Sequence, residues 1–309
     1  MRLGGKPTPD STARQRTLTA YLFLAPALVA LALFTFYPIA YGIYLAFTDY
    51  DMLRHTPQGV LVPPRFVGLD NFAKLYRDPY FWTALTNSAL YLLVVPVLQV
   101  LAMAVAVLVN QRIAGVRLFR TTYYIPVVTS VVVVGIAWNW VYQSDGPLNA
   151  LLVDVLGLPR VGWLTDGRVA LFSVMLVTVW QGLGYFMMLY LAGLQGIPPE
   201  YEEAARLDGA GPWLVFRHVT VPLLRPTLAL CSVISCISAF KVFTEIYVMT
   251  RGGPEHATLT LGYLIFDTAF KDYAMGYAAA LSLVMGIFVG VISYVNLRYF
   301  REGGLTYYA

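Results

Sequence analysis

Two side chains of opposite charge, Lys241 and Glu245, lie inside a long apolar stretch of this 309-residue sequence. Ionisable groups within an apolar membrane segment are costly, so each needs a partner or a polar environment. Because they are four residues apart, they would face the same way on a helix. They either form an internal ion pair that stabilises the helix or stand beside a path for a polar solute.

Aromatic and amide side chains occur together at two other places. Trp180, Gln181 and Tyr185 lie within one apolar segment, and Asn139 lies between two tryptophans near the end of another. Aromatic faces can pack against the C–H surfaces of sugar rings, and amide or acid groups can bind the hydroxyls. The alternative is interfacial anchoring or helix packing, because Trp and Tyr collect at membrane boundaries. With the two charged residues above, these four are the candidates for a substrate path.

The sequence lacks the patterns of common catalytic and metal-binding sites. A phosphate-binding loop needs Gly-Lys-Ser/Thr, but the one lysine that follows a glycine, Lys6, precedes Pro7. On a helix the spacing of Cys231 and Cys236 separates their Cα atoms by roughly 8–9 Å, too far for an unstrained disulfide. The three histidines lie in or beside polar loops. We therefore expect no catalytic residue, no metal site and no cofactor in this chain.

The composition indicates a membrane protein. Hydrophobic residues make up 58% of the chain and charged residues 12%, which is about half the charged share of a soluble domain. A helix needs about 20 apolar residues to cross the hydrocarbon core, and six segments are long enough. They run approximately over residues 18–47, 83–109, 118–142, 169–194, 219–250 and 273–299. The pattern predicts an all-α membrane protein with six transmembrane helices.

The distribution of Lys and Arg orients these helices. Polar segments on the side of both termini hold twelve basic and six acidic residues, whereas those on the other side hold eight basic and ten acidic residues. Because the basic side faces the cytoplasm, both termini are predicted to be cytoplasmic. The predicted organisation is a tail over residues 1–17, a six-helix domain over 18–300 that contains a cytoplasmic loop at 196–218, and a second tail over 301–309.

The loop between the fourth and fifth segments predicts a short helix with marked ends. Pro199 suits a first helical position, and the acidic residues that follow it complement the helix dipole. Gly209 and Gly211 would end the helix, and Pro212 can open the next one. A short, rigid helix of this kind is suited to bind in a groove of another protein.

This loop resembles the EAA motif of ABC importer permeases. That motif is Glu-Ala-Ala, three residues, Gly, nine residues and then Ile-x-Leu-Pro; here Glu-Ala-Ala at 203–205 precedes Gly209, and Val-Thr-Val-Pro follows at 219–222. Both departures, Val for Ile and Val for Leu, are apolar. The resemblance implies a coupling helix that docks on an ATPase subunit, and a side chain at Gly209 would obstruct its turn. The implied contact residues are Glu203, Ala204, Ala205, Asp208 and Gly209.

Shorter stretches agree with the same superfamily. Residues 66–72, 119–126, 146–149 and 247–254 are similar to segments of its carbohydrate permeases, and the last resembles the maltose- and glycerol-phosphate-type first subunit. The six-helix count matches the family's common core. The resemblance thus implies a type I ABC importer permease bundle that takes up a small carbohydrate.

The resemblance also implies a set of partners. ATP and Mg²⁺ would be bound by a partner ATPase dimer, because this chain has no phosphate-binding loop. A second permease subunit would complete a heterodimer in the cell inner membrane, surrounded by lipid, and an extracytoplasmic solute-binding protein would deliver a small sugar. No nucleic acid partner is expected, and this chain would be a multi-pass transport subunit without catalytic activity.

The sequence leaves other functions open. An ion-coupled secondary transporter would be expected to show an internal repeat and broken helices, and we find no repeat. A membrane-embedded enzyme would need an intramembrane histidine or paired acids at metal-ligand spacing, which the apolar segments lack. Within the ABC class the cargo could instead be a polyol or glycerol phosphate. A phosphate would require a cation on its path, for which Lys241 is the candidate.

Overall fold

The computed structural model describes residues 9–54, 62–111 and 115–302, and almost all regular structure in these ranges is helical. One isolated β bridge, between Thr48 and Phe66, is the exception there. Of the two predicted tails, residues 1–8 and 303–309 lie outside the described residues.

The described residues up to 155 form eight α-helices and two π turns. The helices are α1 (Pro9–Leu31), α2 (Tyr37–Leu45), α3 (Asp70–Arg77), α4 (Pro79–Tyr91), α5 (Val94–Asn110), α6 (Val116–Val128), α7 (Val131–Val141) and α8 (Pro147–Ala150). The π turns are Ala32–Phe36, which joins α1 to α2, and Leu151–Val155, which follows α8.

The rest of the described chain forms eight more α-helices and a third π turn. The helices are α9 (Ala170–Gln195), α10 (Pro199–Leu207), α11 (Pro212–Val215), α12 (Val221–Leu223), α13 (Arg225–Phe240), α14 (Thr244–Met249), α15 (Leu261–Phe270) and α16 (Met275–Glu302). The π turn, Phe216–Thr220, joins α11 to α12.

Five stretches of the described residues are long and apolar enough to cross a membrane. They are Arg16–Leu45, Pro79–Asn110, Ala170–Gln195, Arg225–Met249 and Met275–Phe300. A sixth span exists if α6 and α7, which meet at 99°, count as one. The all-α fold is thus confirmed, with five spans and one bent pair in place of six simple helices.

The predicted span over residues 118–142 is therefore not one straight helix. Thr129 and Ser130, between α6 and α7, have extended backbones with ψ of 137° and 132°. Pro126, near the end of α6, has no N–H to bond to the preceding turn. The amide of Gln181 on α9 donates to the carbonyl oxygen of Thr129 at 3.2 Å. A break inside a membrane is tolerated because another helix satisfies the freed carbonyl.

Buried polar side chains tie α5, α9 and α13 together. The hydroxyl of Tyr190 donates to Oε1 of Gln99, and the amide of Gln99 donates to Oγ of Ser235 at 2.8 Å. All three side chains are buried. Hydrogen bonds between helices stabilise membrane bundles, where polar side chains have few other partners. These helices form the centre of the bundle.

The first span, Arg16–Leu45, packs against the rest of the bundle mainly at its end, where α2 lies beside α16. None of its apolar stretch is buried, whereas half of the corresponding stretch of Ala170–Gln195 is buried. In a regular α-helix the ring of Pro38 would clash with the carbonyl oxygen one turn earlier in the chain. The π turn over Ala32–Phe36 includes that earlier turn. An apolar helix with no covering layer must face lipid or another protein.

A clamp formed by residues 46–50 and 66–72 holds the end of this span against the bundle. The amide of Asn71 donates to the carbonyl oxygens of Ala46 at 2.9 Å and Thr48 at 2.8 Å. The ring of Phe47 packs on that of Phe72 with centroids 5.3 Å apart. Helix C-termini leave unpaired carbonyls, and Asn71 satisfies the one of Ala46, at the end of α2, and that of Thr48 just beyond it.

Asp49 reinforces the clamp through two bonds. Nη1 of Arg54 donates to its carboxylate at 2.7 Å, and the backbone N–H of Arg65 donates at 2.9 Å. These bonds lower the pKa of the Asp49 carboxyl, the Arg54 side chain having the largest effect. A carboxyl whose pKa is lower in the folded chain than in the unfolded chain stabilises the fold at pH values above its unfolded pKa. This stabilisation is lost as the pH falls through the folded pKa. The clamp is therefore expected to lose stability in acid.

Replacing Asn71 with alanine is expected to loosen the clamp. Two carbonyls would lose their donor, at a cost of roughly 1–3 kcal/mol, so the backbone amides of residues 46–52 should exchange hydrogen faster. Asn110→Ala is the control, since Asn110 is exposed and its side chain makes no hydrogen bond to the described residues. Unchanged exchange at residues 46–52 in Asn71→Ala would contradict this role.

Candidate coupling helix and substrate cavity

The short helix predicted in the loop is present as α10, Pro199–Leu207. Pro199 occupies its first turn, and Gly209 follows its C-terminus with φ of 85°. The N–H of Gly209 donates to the carbonyl of Arg206, and that of Ala210 to the carbonyl of Ala205, both at 3.0 Å. This end geometry favours glycine because other residues rarely adopt a positive φ.

One side of α10 is tied down and the other is exposed. Oε1 of Glu202 accepts a bond from Oγ1 of Thr220 at 3.3 Å, which holds α10 against the following π turn. Leu207 is 88% exposed, although it is apolar. Of the implied contact residues, Ala205 is half-buried, and the exposed ones are Glu203, Ala204, Asp208 and Gly209. The free side of α10 therefore combines an apolar residue with carboxylates.

A cavity of about 610 Å³ opens between α5, α6, α7, α9, α13 and α14. We name it the central cavity. Four of the six predicted substrate-path residues line it: Gln181, Tyr185, Lys241 and Glu245. They bring an amide, a phenol, an ammonium and a carboxylate to one space within apolar helices. Such a site can orient a neutral polar solute by hydrogen bonds.

Lys241 and Glu245 do not form the expected helical pair. The helix α13 ends at Phe240, and α14 begins at Thr244, so the four-residue spacing does not run along one helix. Among the described residues, neither side chain has an ion-pair partner. Oγ1 of Thr260 donates to the carbonyl oxygen of Val242 within this break at 3.1 Å. Both charged side chains line the central cavity instead.

The other two predicted residues lie elsewhere. The ring of Trp180 contacts that of Trp138, with centroids 5.5 Å apart, and both line an apolar cavity of about 430 Å³ between α6, α7 and α9. Asn139 lines a third cavity of about 510 Å³ at the end of α7, and its amide donates to the carbonyl of Val248 at 3.2 Å. The six candidates thus occupy three cavities.

Small hydroxyl residues of the central cavity escaped the prediction from sequence. Thr178, Ser235 and Ser238 line it beside the larger polar groups. Their spacing was a usable signal, because Thr178 lies three residues before Gln181, and Ser235 three before Ser238, which places each pair on one helix face. The candidates predicted from the sequence were charged, amide or aromatic residues, so these three hydroxyl residues were not among them. No group of His, Cys, Asp and Glu among the described residues could hold a metal ion.

Comparison with known proteins places this architecture in a family. Residues 99–299 match the model of the binding-protein-dependent transport system inner membrane component. The lactose transport system permease protein of Rhizobium radiobacter is 33% identical over 95% of this chain and 97% of its own length. The diacetylchitobiose uptake system permease protein of Streptomyces coelicolor is 30% identical over 95% of this chain and 86% of its own length.

A solved structure shares the fold. A bacterial alginate ABC transporter, crystallised in complex with a periplasmic protein that holds an alginate pentasaccharide, contains a chain that superposes with a TM-score of 0.79. It is 22% identical, and the match covers 94% of this chain and 96% of that one. The type I bundle predicted from the loop motif is therefore confirmed. The chain belongs to the family of inner membrane components of binding-protein-dependent transport systems, and it is a multi-pass permease subunit of the ABC transporter class.

Proposed function

We propose that this permease imports a small saccharide through the central cavity. The observation that carries the proposal is the lining of that cavity, where Gln181, Lys241 and Glu245 stand among hydroxyl side chains inside an apolar bundle. One ammonium and one carboxylate give the lining no net charge, which suits an uncharged cargo with many hydroxyls. The relatives named for lactose and diacetylchitobiose uptake support a saccharide.

The exposed side of α10 supports the proposal that an ATPase subunit binds this chain. An apolar side chain as exposed as that of Leu207 is expected to be covered in the assembled transporter. The bound ATP and Mg²⁺ would lie on that partner, whose nucleotide-driven closure would move α10. In this arrangement α10 and both termini are cytoplasmic, and the ends of α7 and α9 near residues 139–170 face outward. The excess of basic residues on the α10 side supports this orientation.

The exposed surface of the first span supports the proposal that a second permease subunit binds this chain. Arg16–Leu45 presents exposed rings, including those of Phe23 and Phe34, and the described residues bury none of its apolar stretch. Packing of this helix on a second permease would bury that surface and complete a heterodimer. On the outward side, an extracytoplasmic binding protein would deliver the saccharide. The alginate transporter supports this arrangement, because it was crystallised with a periplasmic protein that holds an alginate pentasaccharide.

An uptake assay tests the proposal. Cells that express the chain with its neighbouring genes are given labelled lactose, maltotriose and N,N′-diacetylchitobiose. We expect uptake of at least one of these to stop when ATP is depleted and to survive an ionophore. Uptake that survives ATP depletion but collapses with the ionophore would instead favour ion-coupled transport. The broken helices do not decide between these classes, because they occur in this bundle too.

A phosphorylated cargo is the second candidate. The ammonium of Lys241 has no carboxylate partner among the described residues and lines the central cavity, where it could bind the phosphate of glycerol phosphate. Labelled glycerol phosphate therefore belongs in the same panel. Its uptake in place of the sugars would identify that cargo.

Replacing Gln181 with alanine is expected to lower uptake about tenfold or more. The side chain lines the central cavity and also bonds to the carbonyl between α6 and α7. Loss of a hydrogen bond that leaves its partner unpaired costs roughly 1–3 kcal/mol. The control is Gln195→Ala on the same helix, where the side chain is exposed. Chain abundance and ATPase association are measured alongside. Unchanged uptake at full abundance would remove Gln181 from the substrate path.

A further inference from the structure

The third cavity, which we name the outer cavity, has several polar side chains among the residues that line it. It encloses about 510 Å³ between the end of α7 and the loop before α9. Its polar side chains are two amides, three hydroxyls and a guanidinium, from Asn139, Tyr142, Gln143, Ser144, Arg160 and Thr165. No carboxylate of the described residues lines it. The lining therefore offers both donors and acceptors without a negative charge.

These polar groups have hydrogen-bonding capacity to spare. The Oδ1 atom of Asn139 is buried and has no hydrogen-bond partner among the described residues. The side chains of Gln143 and Arg160 are exposed and make no hydrogen bond or ion pair within the same ranges. Buried polar atoms are nearly always bonded, and the Asn139 oxygen is free to accept a hydrogen bond from a molecule in the cavity.

The walls of the outer cavity are held rigidly. Asn149 is buried, and its amide donates to the carbonyl oxygens of Gln143 at 3.2 Å and Val161 at 3.0 Å. Its Oδ1 accepts from the N–H of Val161 at 3.0 Å and from the indole of Trp163 at 3.2 Å. One side chain thus fixes the two loop segments that form opposite walls. A site fixed before binding loses less entropy when it takes its ligand.

The outer cavity and the central cavity lie along the same two packed helices. On α14, Glu245 lines the central cavity and Met249 lines the outer one, a separation of about one helical turn, or roughly 6 Å. On α7, Val131 lines the central cavity and Asn139 the outer one, roughly 12 Å further along. The two cavities therefore lie at successive positions along α7 and α14.

A close helix contact separates them. Gly135 on α7 is buried, and a Cβ added there would lie 2.8 Å from Cγ1 of Val248 on α14. The two helices can approach this closely because glycine has no side chain. A solute in the outer cavity would have to part α7 from α14 to reach the central cavity.

We propose that the outer cavity is a first saccharide subsite, which holds a neutral sugar unit before the helices α7 and α14 part. The proposal rests on the proposed function, since its ligand is the imported saccharide. Sugar hydroxyls donate to the oxygen of Asn139 and accept from the amide of Gln143 and the guanidinium of Arg160. Each of these bonds uses a group that has no other partner among the described residues. A sugar hydroxyl can both donate and accept, so the site can bind it without a carboxylate.

Protection from chemical labelling tests the subsite. Gln143→Cys and Arg160→Cys are made separately in the full chain, expressed with its native partners, and labelled with a membrane-impermeant maleimide. Lactose, maltotriose and N,N′-diacetylchitobiose are added in separate experiments, each at several times its dissociation constant. We expect labelling at both positions to slow about fivefold or more, because occupied sites are shielded by mass action.

Asp154→Cys is the matched control, because Asp154 is exposed on the same side of the bundle but does not line the outer cavity. Its labelling should not change. Equal labelling with and without all three sugars, or equal protection at position 154, would overturn the subsite. Protection by an acidic alginate oligosaccharide alone would overturn its assignment to neutral sugars.

The outcomes separate the subsite from the proposed function. Uptake without protection contradicts the subsite and leaves the proposed function intact. Protection without uptake supports the subsite and contradicts saccharide import by this chain. The absence of both uptake and protection would contradict the subsite and the proposed function alike.

Discussion

Replacing Leu207 with glutamate is expected to release the ATPase and to lower uptake by at least about 30-fold. Leu207 is 88% exposed on the free side of α10, where we propose that the ATPase binds. A carboxylate there would be buried without a partner in the interface, and a loss of about 2 kcal/mol at such a position corresponds to roughly 30-fold in affinity. The measurements are co-purification of the ATPase with the chain and ATP-driven uptake of the imported sugar.

The control is Leu156→Glu, because Leu156 is also an exposed leucine but lies on the opposite side of the bundle. This variant should retain its ATPase. If Leu207→Glu retained both the ATPase and uptake, the test would extend to residues 200–212, replaced by a glycine–serine segment of equal length. A transporter that still bound its ATPase after that replacement would exclude a coupling role for α10.

Replacing Gly184 with alanine is expected to prevent normal folding of the bundle. A Cβ at this position of α9 would overlap the carbonyl oxygen of Tyr123 on α6 and lie 2.8 Å from its carbonyl carbon. A backbone carbonyl cannot turn aside as a side chain can, so α6 would have to move as a whole. Overpacking of this kind costs at least about 1–3 kcal/mol, and the folded chain recovered from membranes, with its thermal midpoint, measures the loss.

Gly286→Ala provides the matched control. Gly286 lies within the span formed by α16, and a Cβ there would meet no atom within 4 Å. Alanine has the higher helix propensity, so this variant should fold as well as the original chain. Equal recovery and equal thermal midpoints for the two variants would show that α6 does not pack against α9 as closely as described.

Local signals were sufficient to predict α10 and its ends. Pro199 and Gly209 act through their own backbone conformations, so their effect does not depend on distant residues. The apolar segments were predictable for a related reason, because spanning length depends on composition over about 20 residues. The approximate spans and the family motif therefore followed from the sequence.

The segment over residues 66–72 was only partly predictable. Its similarity to other permeases was visible, but its role was not, because Asn71 bonds to carbonyls of residues 46 and 48. Bonds between segments that lie far apart in the chain leave no periodic signal in a single sequence. Only the folded chain shows that this motif clamps the first span.

The order of amino acids is enough to predict which residues are apolar enough to lie in a membrane, where the short loop helix begins and ends, and which family the chain resembles. Where helices break and which polar residues meet depends instead on the packing of distant segments. The separation of Lys241 from Glu245 depends on a break whose carbonyl is satisfied by Thr260, and the bend between α6 and α7 depends on Gln181. In an apolar environment a freed carbonyl needs a donor, and the position of that donor is a property of the packed bundle.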